Sequence, residues 1–101
     1  MEITKIEDEL RLTVAGDITA ASVDGIKDTV LAELRGITDV VIDLSNVEMI
    51  DSTGISLLIS IQNSLKGKNG RLKLENTSED IAHMFRLMRL DKHFKVTERE
   101  G

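Results

Sequence analysis

The alternation of apolar and polar positions divides the chain into strands and helices. Leu10, Leu12 and Val14 alternate with polar neighbours, the period-two spacing of a strand with one buried face, and Ile3 and Ile6 mark a shorter strand before it. Glu7-Asp8-Glu9 between them predicts a turn, so the chain opens with a β-hairpin. Over residues 20–34, Val23, Ile26, Val30 and Leu34 recur at three and four residues and line one face of a helix. Gly25 weakens that helix by about 1 kcal/mol relative to alanine, and Gly36 stops it. Val40, Val41 and Ile42 then form a β-branched run typical of a buried strand, and Leu44, Val47, Met49 and Ile50 continue it as an apolar connection.

A second helix is predicted over about 53–66, where Ile55, Leu58, Ile59 and Leu65 cover one face and Leu57 and Ile61 widen it. So wide a band leaves Ile55, in the first turn, either in the core or on a contact surface. Gly67 and Gly70 frame a turn, and Leu72 and Leu74 alternate with charged residues as another strand. Asn76-Thr77-Ser78 offers caps for a third helix, in which Ile81, Met84, Phe85 and Met88 share a face that Leu87 and Leu90 broaden. Phe94 and Val96 return a short tail to the core. The order β-β-α-β-α-β-α with a tail predicts the α/β class, one mixed β-sheet with α-helices packed on it.

Polarity changes abruptly at Asp51-Ser52-Thr53-Gly54, between the apolar connection and the most apolar helix. Short oxygen-bearing side chains at that point cap helices, and Asp51 or Ser52 is suited to do so. The first N–H groups of a helix also lack intrahelical partners and lie at the positive end of its dipole, which stabilises a phosphate. Ser52 is therefore a candidate phosphoryl acceptor as well as a candidate cap. If it is the cap, Ser52→Ala costs about 1 kcal/mol. Further back, Ala15-Gly16-Asp17-Ile18-Thr19 ends the second strand, with Gly16 free to take an unusual backbone geometry and Asp17 or Thr19 placed for local backbone hydrogen bonds.

Val40-Val41-Ile42-Asp43-Leu44-Ser45 followed by Met49-Ile50-Asp51-Ser52-Thr53-Gly54-Ile55 resembles the signature of the STAS domain, in particular that of bacterial anti-sigma factor antagonists. The resemblance covers nearly the whole chain and implies a single STAS-type domain over residues 1–101. It also implies that the first hydroxyl after the aspartate, Ser52, is phosphorylated by a partner kinase, with Thr53 as the alternative. Asp17, Thr19, Asp51, Ser52, Thr53, Gly54 and Ile55 are then the partner-binding residues. Thr19 stands where the family commonly has an aspartate, which keeps a hydrogen-bonding group and removes a charge. The implied partners are an anti-sigma factor with serine kinase activity and a serine phosphatase.

Composition narrows the chemistry further. A 41% hydrophobic, 31% charged chain is ordinary for a folded domain, and with two Phe and no Trp or Tyr its core rests on aliphatic side chains. The net charge of −5 gives no basic footprint for nucleic acid, and no stacking aromatics substitute for one. Without cysteine there is no disulfide, thiol catalyst or ordinary structural zinc site, and His83 and His93 lack metal-ligand spacing and read as surface residues. No apolar run is long enough for a membrane span or a secretory signal, so a cytoplasmic location is expected. No cofactor, metal or catalytic residue is expected either.

Asp51-Ser52-Thr53-Gly54 shares residue types with the Asp-Thr-Gly or Asp-Ser-Gly loop of aspartic proteases, where paired aspartates activate water. Here the glycine comes one residue too late and helical faces flank the motif, whereas that fold is almost wholly β. A second alternative is a STAS domain serving as a fixed structural subunit of a signalling or transporter-associated assembly, indifferent to the chemistry at Ser52.

Overall fold

The computed structural model describes residues 1–100. Five strands, β1 (Glu2–Ile6), β2 (Glu9–Thr13), β3 (Asp39–Asp43), β4 (Leu72–Thr77) and β5 (Lys95–Glu98), form one sheet in the order β1-β2-β3-β4-β5. β1 runs antiparallel to β2, and every other neighbouring pair is parallel. Three helices connect them: α1 (Val23–Glu33), α2 (Ser52–Lys66) and α3 (Glu79–Leu87), the last followed by a 3-10 turn at Leu90–Lys92. This is the mixed sheet with packed helices that the alternation predicts.

Register puts the apolar residues on one face. Leu10 lies beside Val40 and Val40 beside Leu72, while Leu12, Ile42 and Leu74 form the next row. These rows join Ile26 and Val30 of α1, Leu58, Ile61 and Leu65 of α2 and Ile81 and Phe85 of α3 in a single buried cluster. Burial of such side chains stabilises by about 1.5–3 kcal/mol each, which is how a core almost without aromatics holds. On the opposite face Val41 is also buried. Its row neighbours are Arg11 and Lys73, and the ion pair from Arg11 on β2 to Glu75 on β4, at 2.6 Å, crosses β3 above it.

Four expectations change. The tail is a fifth strand: Phe94 packs edge-on against Phe85, ring centres 5.6 Å apart, and that anchor brings the next four residues alongside β4. The first helix begins at Val23 because Ser22 spends its hydroxyl on the preceding loop. Leu87 is exposed because it lies off the face of Ile81 and Phe85, and Met88 because α3 ends before it and Arg89 enters the left-handed region (φ 59°), turning the chain so that Leu90 goes inward instead. Gly16 has no positive φ; among the described glycines only Gly36, just after α1, does. The two β1 isoleucines lie in the expected strand, but both are exposed at the sheet edge.

Candidate functional site

The chains leaving β2 and β3 continue side by side beyond the sheet. The Ile18 N–H donates to the Met49 carbonyl at 3.1 Å and the Asp51 N–H to the Ile18 carbonyl at 3.2 Å, an isolated parallel bridge between Ile18 and Ile50. Both isoleucines are buried, so the bridge sits on the core. Asp17 and Asp51 reinforce it from either side. Asp17 Oδ1 accepts from the N–H groups of Glu48 (2.8 Å) and Met49 (3.0 Å). Asp51 Oδ1 accepts from the Gly54 N–H (2.9 Å), and its Oδ2 from the Ala20 N–H (3.0 Å).

Asp51 is thus the N-cap of α2 and also a tether to the loop before α1. Its N–H donors favour the charged form, Gly54 most and Ala20 next, and hold the carboxyl below the ordinary carboxylate range. The same loop is closed by Ser22, whose hydroxyl donates to the Asp17 carbonyl at 2.8 Å and accepts from the Thr19 N–H at 3.0 Å. Thr19 Oγ1 accepts from the Ala21 N–H at 3.3 Å.

Gly54 is required by contact rather than by backbone freedom. A Cβ there would overlap the Ile18 carbonyl and come within 2.8 Å of Ile50 Cγ2, so the helix lies on the bridge itself. Ile55 is buried, which settles its place in the core. Ser52 and Thr53 are exposed in the first turn of α2. Because the cap is Asp51, the Ser52 hydroxyl is left over: among the described residues it enters no hydrogen bond, although the Ser52 carbonyl accepts from Ser56 Oγ at 3.0 Å.

Asp17, Thr19, Asp51, Ser52, Thr53, Gly54 and Ile55 therefore come together at one end of the molecule, two of them beneath the surface and five at it. A residue the sequence did not single out completes the frame. Arg99, just past β5, donates to the carbonyls of Leu44 (2.8 Å), Val47 (2.9 Å) and Asn76 (2.8 Å) and pairs with Glu48 at 3.1 Å. Asp17 holds the amides of this connection and Arg99 its carbonyls. The only sequence signal for Arg99 is the alternation of Phe94 and Val96, which places the tail on the sheet but says nothing of a side chain three residues on.

The site thus presents a hydroxyl at the positive end of a helix, on a backbone that is bonded from both sides. Such a hydroxyl can take a phosphoryl group without disturbing any bond of the frame. Its neighbouring carboxylate, Asp51, is committed to two N–H donors.

A family model described as STAS domain matches residues 1–101. The anti-sigma-B factor antagonist of Bacillus subtilis (strain 168) is 27% identical over 85 residues, covering 84% of this chain and 78% of that protein. The crystal structure of a proposed anti-sigma factor antagonist of Thermotoga maritima, TM1081, superposes with a TM-score of 0.88 at 22% identity, over 96% of this chain and 85% of that one. The anti-sigma factor antagonist SpoIIAA matches in its unphosphorylated form (TM-score 0.70, 18% identity, 85% and 81% covered) and in its phosphorylated form (0.74, 16%, 94% and 88%). The last two likenesses, like that to TM1081, are likenesses of fold.

Proposed function

The chain belongs to the STAS domain family, and on that premise we propose that it is an anti-sigma factor antagonist switched by phosphorylation of Ser52. The observation that carries the reading is the exposed, unbonded Ser52 hydroxyl on a fixed helix N-terminus. The relative in Bacillus subtilis is named an anti-sigma-B factor antagonist, and SpoIIAA, of the same fold, has both a phosphorylated and an unphosphorylated form. In this reading the unphosphorylated protein binds an anti-sigma factor that is also a serine kinase, and so frees a sigma factor. Phosphorylation of Ser52 ends that binding, and a serine phosphatase restores it.

The switch is electrostatic. A phosphoserine adds a charge of about −1.5 to −2 to the surface that must be desolvated on binding. Asp51 adjoins it in sequence, and Asp17 is fixed on the same end of the molecule; neither carboxylate can turn away without giving up its N–H partners. Thr19 and Thr53 contribute uncharged polar contacts, while Gly54 and Ile55 shape the surface from below. The reading places the protein in the cytoplasm, and no described helix is long and apolar enough to cross a membrane.

Incubation with the anti-sigma factor kinase and ATP, followed by peptide mass spectrometry, should find phosphate on Ser52. Titration calorimetry should then give tight binding for the unmodified protein and a large loss for the phosphorylated one. Phosphate on Thr53 would move the switch by one residue. A stable complex with the same affinity in both forms would replace it with a structural STAS subunit.

A further inference from the structure

The far end of α2 carries a cleft of about 450 Å³, between the last turns of that helix, the turn at 67–70, the entry to β4 and the 3-10 turn. Its polar lining includes Gln62, Lys66, Asn69, Arg71, Lys92 and His93, and no carboxylate. That is notable in a chain with 18 acidic and 13 basic side chains. Five of the other cations are engaged: Lys5, Arg11, Arg86 and Arg99 are in ion pairs, and Lys68 Nζ caps the end of α1 by donating to the Leu34 and Ile37 carbonyls at 3.2 Å, while Lys27, Arg35, Lys73 and Arg89 stand singly outside the cleft. Among the described residues, Lys66, Arg71 and Lys92 enter none of the ion pairs.

The cleft is also a fixed one. Gln62 Oε1 accepts from the Leu72 N–H at 2.8 Å, which orients the amide and leaves its two N–H donors for the cleft. The N–H groups of Lys68 and Gly70 both donate to the Leu65 carbonyl, and the Arg71 N–H donates to Asp39 Oδ1 at 3.0 Å. A Cβ on Gly70 would overlap the Thr38 carbonyl, so this turn is seated on the chain entering β3. A neighbouring hollow of about 280 Å³ shares Arg71, Lys92 and His93 and adds Lys95, with Asp91 as its one carboxylate. Lys66, in the last turn of α2, offsets the negative end of the helix dipole that would otherwise oppose an anion here.

We propose that this cleft binds a small polyanion, a molecule carrying two or more phosphate or carboxylate groups. Three cations and the oriented Gln62 amide, with no carboxylate in the lining, favour a ligand rich in negatively charged acceptors, and Arg71 offers the planar fork that either group accepts in pairs. The volume falls within the range of about 300–1,000 Å³ usual for small-molecule sites. Along α2 the cleft runs from Gln62 to Lys66, which at about 1.5 Å per residue lies roughly 15–21 Å from Ser52. The ligand would occupy it without covering the phosphorylation site.

The test is a titration of the ¹⁵N-labelled full chain with inorganic pyrophosphate, and separately with citrate, in phosphate-free buffer at low and at raised salt. Saturable amide shifts at Lys66, Asn69, Arg71, Lys92 and His93, with Ser52 to Ile55 unmoved, are expected for at least one probe; which probe binds tells phosphate from carboxylate chemistry. The double substitution Arg71→Gln with Lys92→Gln should weaken binding about ten-fold or more, since two charge-assisted contacts go. Lys27→Gln with Lys73→Gln, which removes as much charge elsewhere, should not. All four side chains lie outside the apolar core, and thermal melts verify that each variant folds. Equal losses in the two double variants, shifts spread over every surface lysine, or no saturable shift with either probe would overturn the proposal.

Discussion

The two ends of α2 are built alike in their backbone and oppositely in their side chains. At each end a glycine lets the chain rest on a neighbouring carbonyl: Gly54 on Ile18 at the start, and Gly70, in the turn that follows, on Thr38. At the start, carboxylates are used up on backbone N–H groups and the hydroxyls of Ser52 and Thr53 remain. At the far end the turn's N–H groups close on the Leu65 carbonyl, Asp39 and Gln62 take one N–H each, and it is the cations Lys66, Arg71 and Lys92 that remain. The difference teaches that a side chain becomes available for a partner when something else has taken over the structural task it would otherwise perform.

The shared part of this comparison is the easiest to break. Gly70→Ala should have the largest effect, about 3 kcal/mol of lost stability, because the new Cβ meets the backbone of Thr38, whose carbonyl carbon would lie at 2.7 Å, and no rotamer relieves it. Gly54→Ala should follow at about 2 kcal/mol. There, part of the overlap is with the Ile50 and Ile18 methyl groups, which can shift. Urea unfolding followed by far-ultraviolet circular dichroism measures both in a chain without Trp or Tyr. Near-neutral outcomes would mean that the helix ends are not seated as described.

Much of this architecture is legible in the residues. Alternation at Leu10, Leu12 and Val14 fixes which face of β2 meets the core, because a one-residue slip would turn those side chains away from it, and the unbroken run Val40 to Ile42 marks β3 as covered on both faces. The motif was legible too, since Asp51 to Gly54 sit where a strand hands over to a helix. What escaped were contacts made across long sequence separations. That Asp51 and not Ser52 is the cap depends on one residue of helix register, and that Asp51 also holds Ala20 depends on the Ile18–Ile50 bridge. Arg99 and the fifth strand depend on Phe94 meeting Phe85. Leu87 shows the converse: its apolar character suggested burial, but its position lies off the helix face that Ile81 and Phe85 define.

The difference between the two ends sharpens under acid. Asp51 is held below its ordinary value in the folded protein, so its contribution is complete above the unfolded-state pKa, about 3.9, and is lost as pH falls through the lower folded value. Asp51→Asn should keep a cap, because asparagine caps well, while removing that titration; its stability should fall less steeply with acid than the wild type's. The flattening should be partial, since Asp43 titrates in the same direction: burial works against its charge, but the Ser45 N–H and Asn76 amide outweigh it. Asp51→Asn gives up the Ala20 tether, since its amide offers one acceptor oxygen for two N–H donors; Asp51→Ala should lose the cap as well, and be less stable than Asp51→Asn at neutral pH. Acid unfolding curves of the three proteins measure this, and parallel acid limbs would show that Asp51 carries no pH-dependent share of the frame.

The smallest expected effect falls on the residue with the largest proposed role. Were Ser52 the cap, Ser52→Ala would cost about 1 kcal/mol; with Asp51 in that position the cost should lie within about 0.5 kcal/mol, the usual range for an exposed site. Ser52→Asp should also melt close to wild type, since a carboxylate in the first turn of α2 gains from the helix dipole what it loses beside Asp51. The two variants should nevertheless separate in binding: alanine leaves the surface neutral and should bind the anti-sigma partner, while aspartate brings a charge that must be desolvated and should bind it less well. Thermal melts and titration calorimetry read the two quantities independently. A loss of about 1 kcal/mol in Ser52→Ala would mean that the hydroxyl shares the capping task after all. It would then not be a spare group, and phosphorylation would have to act by undoing the helix start as well as by adding charge to a surface.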